Sequence, residues 1–197
     1  MNLDEAVRRA RDVLARDDRG NLKVGARRAI WAALGGCDDR GRRARTTLAI
    51  STSEHVQPIW KATWPDDPLP ERLVDLARQV LSGAVDTQRA TREADAAQNR
   101  LDDLWVQSPG AAAVAAGYSA QRALFCALYD EAFDPNDFDV EALDENTQPD
   151  ERDSSFLAAV ACSGGPPWDP ASRTEERRVF WLWWLDEAVA TAARGTT

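Results

Sequence analysis

Histidine and cysteine are scarce in this chain of 197 residues, and the scarcity excludes several kinds of site. His55 is the only histidine, whereas metal and acid–base sites usually recruit several imidazoles, so we expect His55 to have a polar or helix-capping role. The three cysteines, Cys37, Cys126 and Cys162, contain no Cys-x-x-Cys pair and are odd in number. We therefore expect no disulfide framework and no zinc knuckle, with Cys126 and Cys162 filling helix interiors.

The short motifs of common catalytic sites are absent as well. The sequence contains no Gly-x-Ser-x-Gly elbow, no phosphate-binding glycine loop and no His-Glu-x-x-His helix. Its first residues lack an apolar signal segment, and the Ala-rich stretch 106–121 is too short and too weakly apolar to cross a bilayer. The sequence thus predicts a cytoplasmic protein with no catalytic residue, no cofactor and no metal.

Residues that favour strands are also few. Val and Ile together contribute only 16 residues, whereas Ala and Leu contribute 51, and this ratio favours helices. The apolar spacing predicts an all-α fold of about seven to eight helices in a single domain over 1–197, arranged as a multi-helix bundle or an irregular two-layer array. The predicted helices cover about 3–16, 22–34, 47–64, 71–82, 87–106, 111–133, 154–162 and 173–193.

Two helix starts carry the pattern of a capping box. Asn2 is the predicted cap of the first helix, with Glu5 three residues later. Ser172 is the predicted cap of the last helix, with Glu175 in the same relative position.

Two segments are predicted to interrupt the helical pattern near the third helix. Residues 38–45 are interpreted as a charged loop that precedes this helix. Pro58 lies inside the helix, and because proline lacks a main-chain N–H we expect a kink or break near Gln57.

Charge is distributed unevenly along the chain. The formal net charge of −9 opposes binding to nucleic acid or to an anionic membrane, because both are negatively charged. Residues 130–153 alone hold eleven acidic residues and one arginine, and breakers within them predict a loop over about 134–153. The EF-hand spacing is absent, which argues against calcium. The acidic loop is interpreted either as a docking surface for a basic partner or as a solvated loop that aids solubility.

Residues 1–45 show the opposite bias, with twelve basic and seven acidic residues. A nucleic-acid patch is one interpretation of these arginines. The interleaved acids and the acidic total instead favour a solvated face or an intramolecular partner for the acidic loop. The arginines concerned are Arg27, Arg28, Arg40, Arg42, Arg43 and Arg45.

Tryptophan is concentrated near the end of the chain, at Trp181, Trp183 and Trp184. Each residue turns a helix by about 100°, so these three side chains cannot share one face. Trp181 and Trp184 fall on the apolar side, which predicts core packing. Trp183 points elsewhere and must meet another helix, the acidic loop or a partner.

Several motifs from about residue 45 to the end match those of a known family. They are Gln-Pro-Ile-Trp at 57–60, Pro-Asp-Asp-Pro at 65–68, an Arg-Leu-Val helix at 72–83, Gly-Gly-Pro-Pro-Trp at 164–168 and the tryptophan-rich segment 178–189. Together they resemble a helical family of immunity proteins from bacterial polymorphic toxin systems. The resemblance implies a small cytosolic protein, encoded beside a toxin gene, that binds the toxin domain and blocks it.

We therefore expect an immunity protein that is not an enzyme and that neutralises a cognate, basic toxin domain, with no nucleic acid or membrane as partner. The acids of the loop would dock onto the toxin, and Phe138 or Trp183 would supply an apolar anchor. Two alternatives stay open, namely a generic helical adaptor or scaffold and a metal-dependent enzyme that uses the acidic cluster. The predicted partner-binding residues are Asp137, Phe138, Asp139, Glu141, Asp144, Glu145 and Trp183.

Overall fold

The structure is a computed structural model that describes residues 1–107, 112–130, 146 and 152–195. Within these ranges the chain forms helices and no strand, so the prediction of an all-α, multi-helix fold is confirmed. The helices are α1 (Leu3–Arg16), α2 (Val24–Leu34), α3 (Asp39–Thr63), α4 (Leu69–Ser82), α5 (Thr87–Gln107), α6 (Ala112–Tyr129), α7 (Ser154–Ser163), α8 (Thr174–Trp183) and α9 (Val189–Arg194), with a π-helical turn (Trp184–Ala188) between the last two.

The start of α3 differs from the sequence prediction. The expected charged loop over 38–45 is wrong, because α3 begins at Asp39. The Asp38 carboxylate caps the helix and accepts a hydrogen bond from the Gly41 main-chain N–H at 2.7 Å. Asp39 in turn accepts hydrogen bonds from the guanidinium groups of Arg42 and Arg43, three and four residues later. The charges that suggested a loop therefore stabilise the first turns of a helix.

Pro58 does not break α3, which continues to Thr63. Val56 and Trp60 on either side of the proline are fully buried. The Trp60 indole N–H also donates a hydrogen bond to the main-chain oxygen of Asp67 at 2.9 Å. Tertiary packing thus holds the segment helical through the one position where proline removes a donor.

The predicted cap of the last helix is also wrong, whereas that of the first is confirmed. Asn2 accepts a hydrogen bond from the Glu5 main-chain N–H at 2.9 Å, as the capping-box pattern predicts. The residue before α8 is Arg173, and its side chain does not cap the helix. Ser172 instead donates its hydroxyl proton to the main-chain oxygen of Asp169, closing the preceding turn.

Helix α6 packs against α3, α4, α5 and α7. Its small residues allow this close approach, and Gly117 is the tightest point. A Cβ atom on Gly117 would lie 2.5 Å from Leu101 Cδ2 and 2.7 Å from Trp60 Cζ3. Three buried hydroxyls, those of Ser53, Ser119 and Ser154, lie 3.1–3.2 Å from one another and join α3, α6 and α7.

Two buried arginines tie the N-terminal helices to the ends of the acidic segment 130–153. Arg45 of α3 donates from Nε and Nη2 to Asp130 at 2.8 and 2.5 Å, and from Nη1 to the main-chain oxygen of Gly35. Arg27 of α2 donates from Nε to Asp153 at 2.8 Å and from Nη1 to the main-chain oxygen of Leu22. Both arginine side chains are 0% exposed. The predicted role of the arginines as intramolecular partners of the acidic loop over 134–153 is thus confirmed for Arg27, whereas Asp130, the partner of Arg45, lies just before that loop.

Replacing either buried arginine is expected to lower the free energy of unfolding by nearly as much as any single substitution does. Arg45→Met leaves Asp130 without its guanidinium partner in a nearly closed site, and Arg27→Met does the same to Asp153. We expect each to lower the free energy of unfolding by about 3–5 kcal/mol, measured by urea denaturation. Arg9→Met is the matched control, because Arg9 pairs with Glu5 on the surface and its loss is expected to cost less than about 0.5 kcal/mol. Equal effects at all three positions would contradict this assignment.

Filling the space at Gly117 is expected to destabilise the contact between α6, α5 and α3. Gly117→Ala should lower the free energy of unfolding by about 1–3 kcal/mol despite the higher helix propensity of alanine, because the hydrogen-bonded Trp60 ring cannot move aside freely. Gly36→Ala is the control, since a Cβ atom there meets no atom within 4 Å. A stabilising Gly117→Ala substitution would show that the packing at this point is loose.

Candidate partner-binding surface

Six of the seven predicted partner-binding residues lie outside the described part of the chain. They are Asp137, Phe138, Asp139, Glu141, Asp144 and Glu145. The structure does describe the first and last residues of the acidic segment 130–153. Asp130, at a φ of 55°, follows α6, and Asp153 precedes α7.

Asp153 has two roles at its end of the acidic segment. Its Oδ1 atom accepts hydrogen bonds from the main-chain N–H groups of Ser155 and Phe156, at 2.7 and 3.1 Å, and so caps α7. Its Oδ2 atom accepts the hydrogen bond from Arg27. Because α7 is packed in the core, this carboxylate fixes the direction in which the chain enters the helix.

Trp183, the seventh predicted residue, meets α3. Its ring stacks on that of His55, with 3.6 Å between ring centroids and 18° between the ring planes. The other two tryptophans are in the core as predicted, since Trp181 and Trp184 are both 0% exposed. Trp184 also donates its indole N–H to the Thr52 hydroxyl at 3.1 Å.

His55 does not cap a helix, because it lies inside α3. The expected capping role is therefore wrong, and the imidazole acts as a stacking partner for Trp183. Desolvation lowers the pKa of His55 below its ordinary value, and the negative charge of Glu187 partly opposes this shift. The neutral imidazole is thus the form that the folded protein favours.

The outer face of α8 contains apolar side chains that the sequence reasoning missed. Val179 is 66% exposed and Leu182 is 40% exposed, and both lie near Trp183 along the helix. Four exposed acids flank them along the chain, namely Glu175, Glu176, Asp186 and Glu187. Val179 and Leu182 are each two residues from Trp181 or Trp184, which places them on the opposite side of the helix. This spacing could have identified the exposed face from the sequence.

A groove of about 510 Å³ lies between α5, α6 and α7, close to the end of the acidic segment. Its wall includes Phe156 and Trp168, whose rings are stacked with 5.9 Å between centroids, and Arg152 lies over Trp168. Tyr118 also lines the groove and donates its hydroxyl proton to Asp102. Burial and this hydrogen bond raise the pKa of Tyr118, so its hydroxyl stays protonated at neutral pH.

The described part of the chain contains neither a metal cluster nor a membrane-spanning helix. No group of three or more His, Cys, Asp or Glu side chains among the described residues is placed to hold a metal ion. No helix among them is both long and apolar enough to span a membrane.

The stacked imidazole predicts a specific pH dependence of stability. The pKa of His55 is lower in the folded chain than the value of about 6.5 in the unfolded chain. Between these values the unfolded chain binds more protons, so this contribution to stability is present above pH 6.5 and is lost as the pH falls. We expect His55→Gln to abolish this component, measured as the difference in free energy of unfolding between wild type and variant from pH 7.5 to 5. A constant difference would contradict the shift.

One family model matches most of the chain. It is that of immunity protein Imm5, and it covers residues 7–191, which include α2–α8 entirely, both buried arginines and the tryptophan-rich helix. No curated protein matches the chain. The extent of the family match means that the chain belongs to the Imm5 immunity protein family, which indicates a toxin-neutralising function.

Proposed function

We propose that this protein is a cytoplasmic inhibitor that binds one cognate toxin domain, with a basic surface on that domain, through the acidic segment 130–153. The observation that carries the proposal is the anchoring of both ends of the segment, by Arg45 to Asp130 and by Arg27 to Asp153. A segment that is held at both ends loses less conformational entropy on binding than one that is held at a single end.

Charge supports a basic partner for this segment. Eleven acids and one arginine fall within 24 residues, and the chain as a whole carries −9. Like charges grouped on one surface attract an oppositely charged protein over several ångströms and reject partners of the same sign. Among the described acids of the segment, Asp130 and Asp153 are neutralised by arginine, so Asp137, Asp139, Glu141, Asp144 and Glu145 are the proposed contacts.

An inhibitor of this kind needs a rigid scaffold and no catalytic group. The helices supply the scaffold, with Trp60, Trp181 and Trp184 all fully buried. Phe138 or Trp183 is the proposed apolar anchor, because aromatic side chains dominate the energy of many interfaces. Occlusion of a basic cleft on the toxin domain would then be sufficient for neutralisation.

Reversing the charge of the acidic segment tests this function. The triple variant Asp139→Lys, Glu141→Lys and Asp144→Lys should abolish protection when it is co-expressed with the toxin domain encoded by the neighbouring gene. It should also slow association of the purified proteins at low salt, because steering depends on the charge at the docking surface.

The matched control reverses three exposed acids elsewhere, namely Asp66, Asp95 and Asp103. This control changes the net charge equally, so it separates a local contact from a general effect of charge. Unchanged binding of the segment variant at low salt, or equal losses in both variants, would rule out the acidic segment as the docking surface.

A further inference from the structure

The outer face of α8 combines exposed apolar side chains with acids. Val179 and Leu182 are exposed, and the partly buried Trp183 continues the apolar strip onto His55 of α3. Glu175 and Glu176 lie one turn before this strip, and Asp186 and Glu187 lie one turn after it. We call these seven residues, five in α8 and two in the π-helical turn that follows it, the α8 face.

The arginines of the same helix do not neutralise this face. Arg177 is 1% exposed and donates to the main-chain oxygens of Arg19 and Gly165. Arg178 donates to the main-chain oxygens of Leu14 and Asp17, at 2.8 and 3.0 Å. Both guanidinium groups are thus directed at main-chain carbonyls, and the charge presented to solvent by the helix is negative.

Two of the four acids form no ion pair with an arginine or lysine in the described chain. Glu176 pairs with Arg173 at 3.3 Å, and Asp186 pairs with Arg11. Glu175 and Glu187 form no ion pair within the described residues. Exposed pairs such as Arg173–Glu176 contribute little to stability, so Glu176 and Asp186 can exchange their arginine for a basic group of a partner at small cost.

The chemistry of the face selects one kind of occupant. A second copy of this chain bound through the same face would place acids against acids, and nucleic acid or an anionic membrane would be repelled for the same reason. An apolar centre surrounded by charged residues is the arrangement of a protein interface, in which the rim excludes water from the centre. A protein with basic residues around an apolar side chain matches both features.

We propose that the α8 face also contacts the basic toxin domain, with Val179 and Leu182 joining Trp183 in receiving an apolar side chain of the partner. This inference rests on the proposed function. It adds that inhibition uses the acids of α8 and the following turn in addition to those of the segment 130–153. Binding through two surfaces of one chain raises affinity beyond that of either alone.

Two variants of the α8 face test the inference, with the purified toxin domain encoded by the neighbouring gene as the probe. Glu175→Lys combined with Glu187→Lys removes the unpaired acids, and Val179→Asp places a charge in the apolar centre. We expect each to weaken binding about tenfold or more, measured by titration calorimetry at low salt. Thermal unfolding of each variant verifies that the fold is kept.

The chain offers a matched control for each variant. Asp95→Lys combined with Asp103→Lys makes the same change in charge on the exposed side of α5, and Val106→Asp changes a valine that is 78% exposed. Both controls should bind within about threefold of wild type. Wild-type affinity in the α8 variants would overturn the α8 contact and leave the proposed function standing, whereas no binding by the wild-type chain would overturn both.

Discussion

Two buried ion pairs, Arg45 with Asp130 and Arg27 with Asp153, determine how the acidic segment is attached to the helices. A buried guanidinium without a partner would be too costly, and each arginine here also donates to main-chain carbonyl groups. The pairs join residues 85 and 126 positions apart in the chain. They therefore hold α2 and α3 against the ends of α6 and α7, and the rest of the helical arrangement has to accommodate them.

Helix α8 and the π-helical turn after it have an aromatic side in the core and an acidic side in solvent. Trp181 and Trp184 pack edge to face with 5.6 Å between ring centroids, inside the core. The arginines of α8 donate to carbonyl groups in the last turn of α1 and in the α1–α2 connection, so they act as internal structural donors. What remains for solvent is an acidic surface with an apolar centre. The same helix thus stabilises the fold and supplies the surface proposed to bind a basic protein.

The parts of the fold that depend on local signals were predictable from the sequence. The capping box at Asn2 and the apolar spacing of α1 give that helix its observed bounds, Leu3–Arg16. Long-range effects were not accessible in this way. Pro58 remains helical because of tertiary packing, and the burial of Arg27 and Arg45 depends on acids far along the chain. The exposure of Val179 likewise follows from which neighbours α8 meets.

Hydrogen–deuterium exchange of the full chain, alone and with its toxin partner, tests the location of binding most directly. Slower exchange on complex formation is expected in peptides from 131–151 and from 174–187, with α5 unchanged. A complex that protects α5 or α1 and leaves both acidic surfaces unchanged would contradict docking through these surfaces.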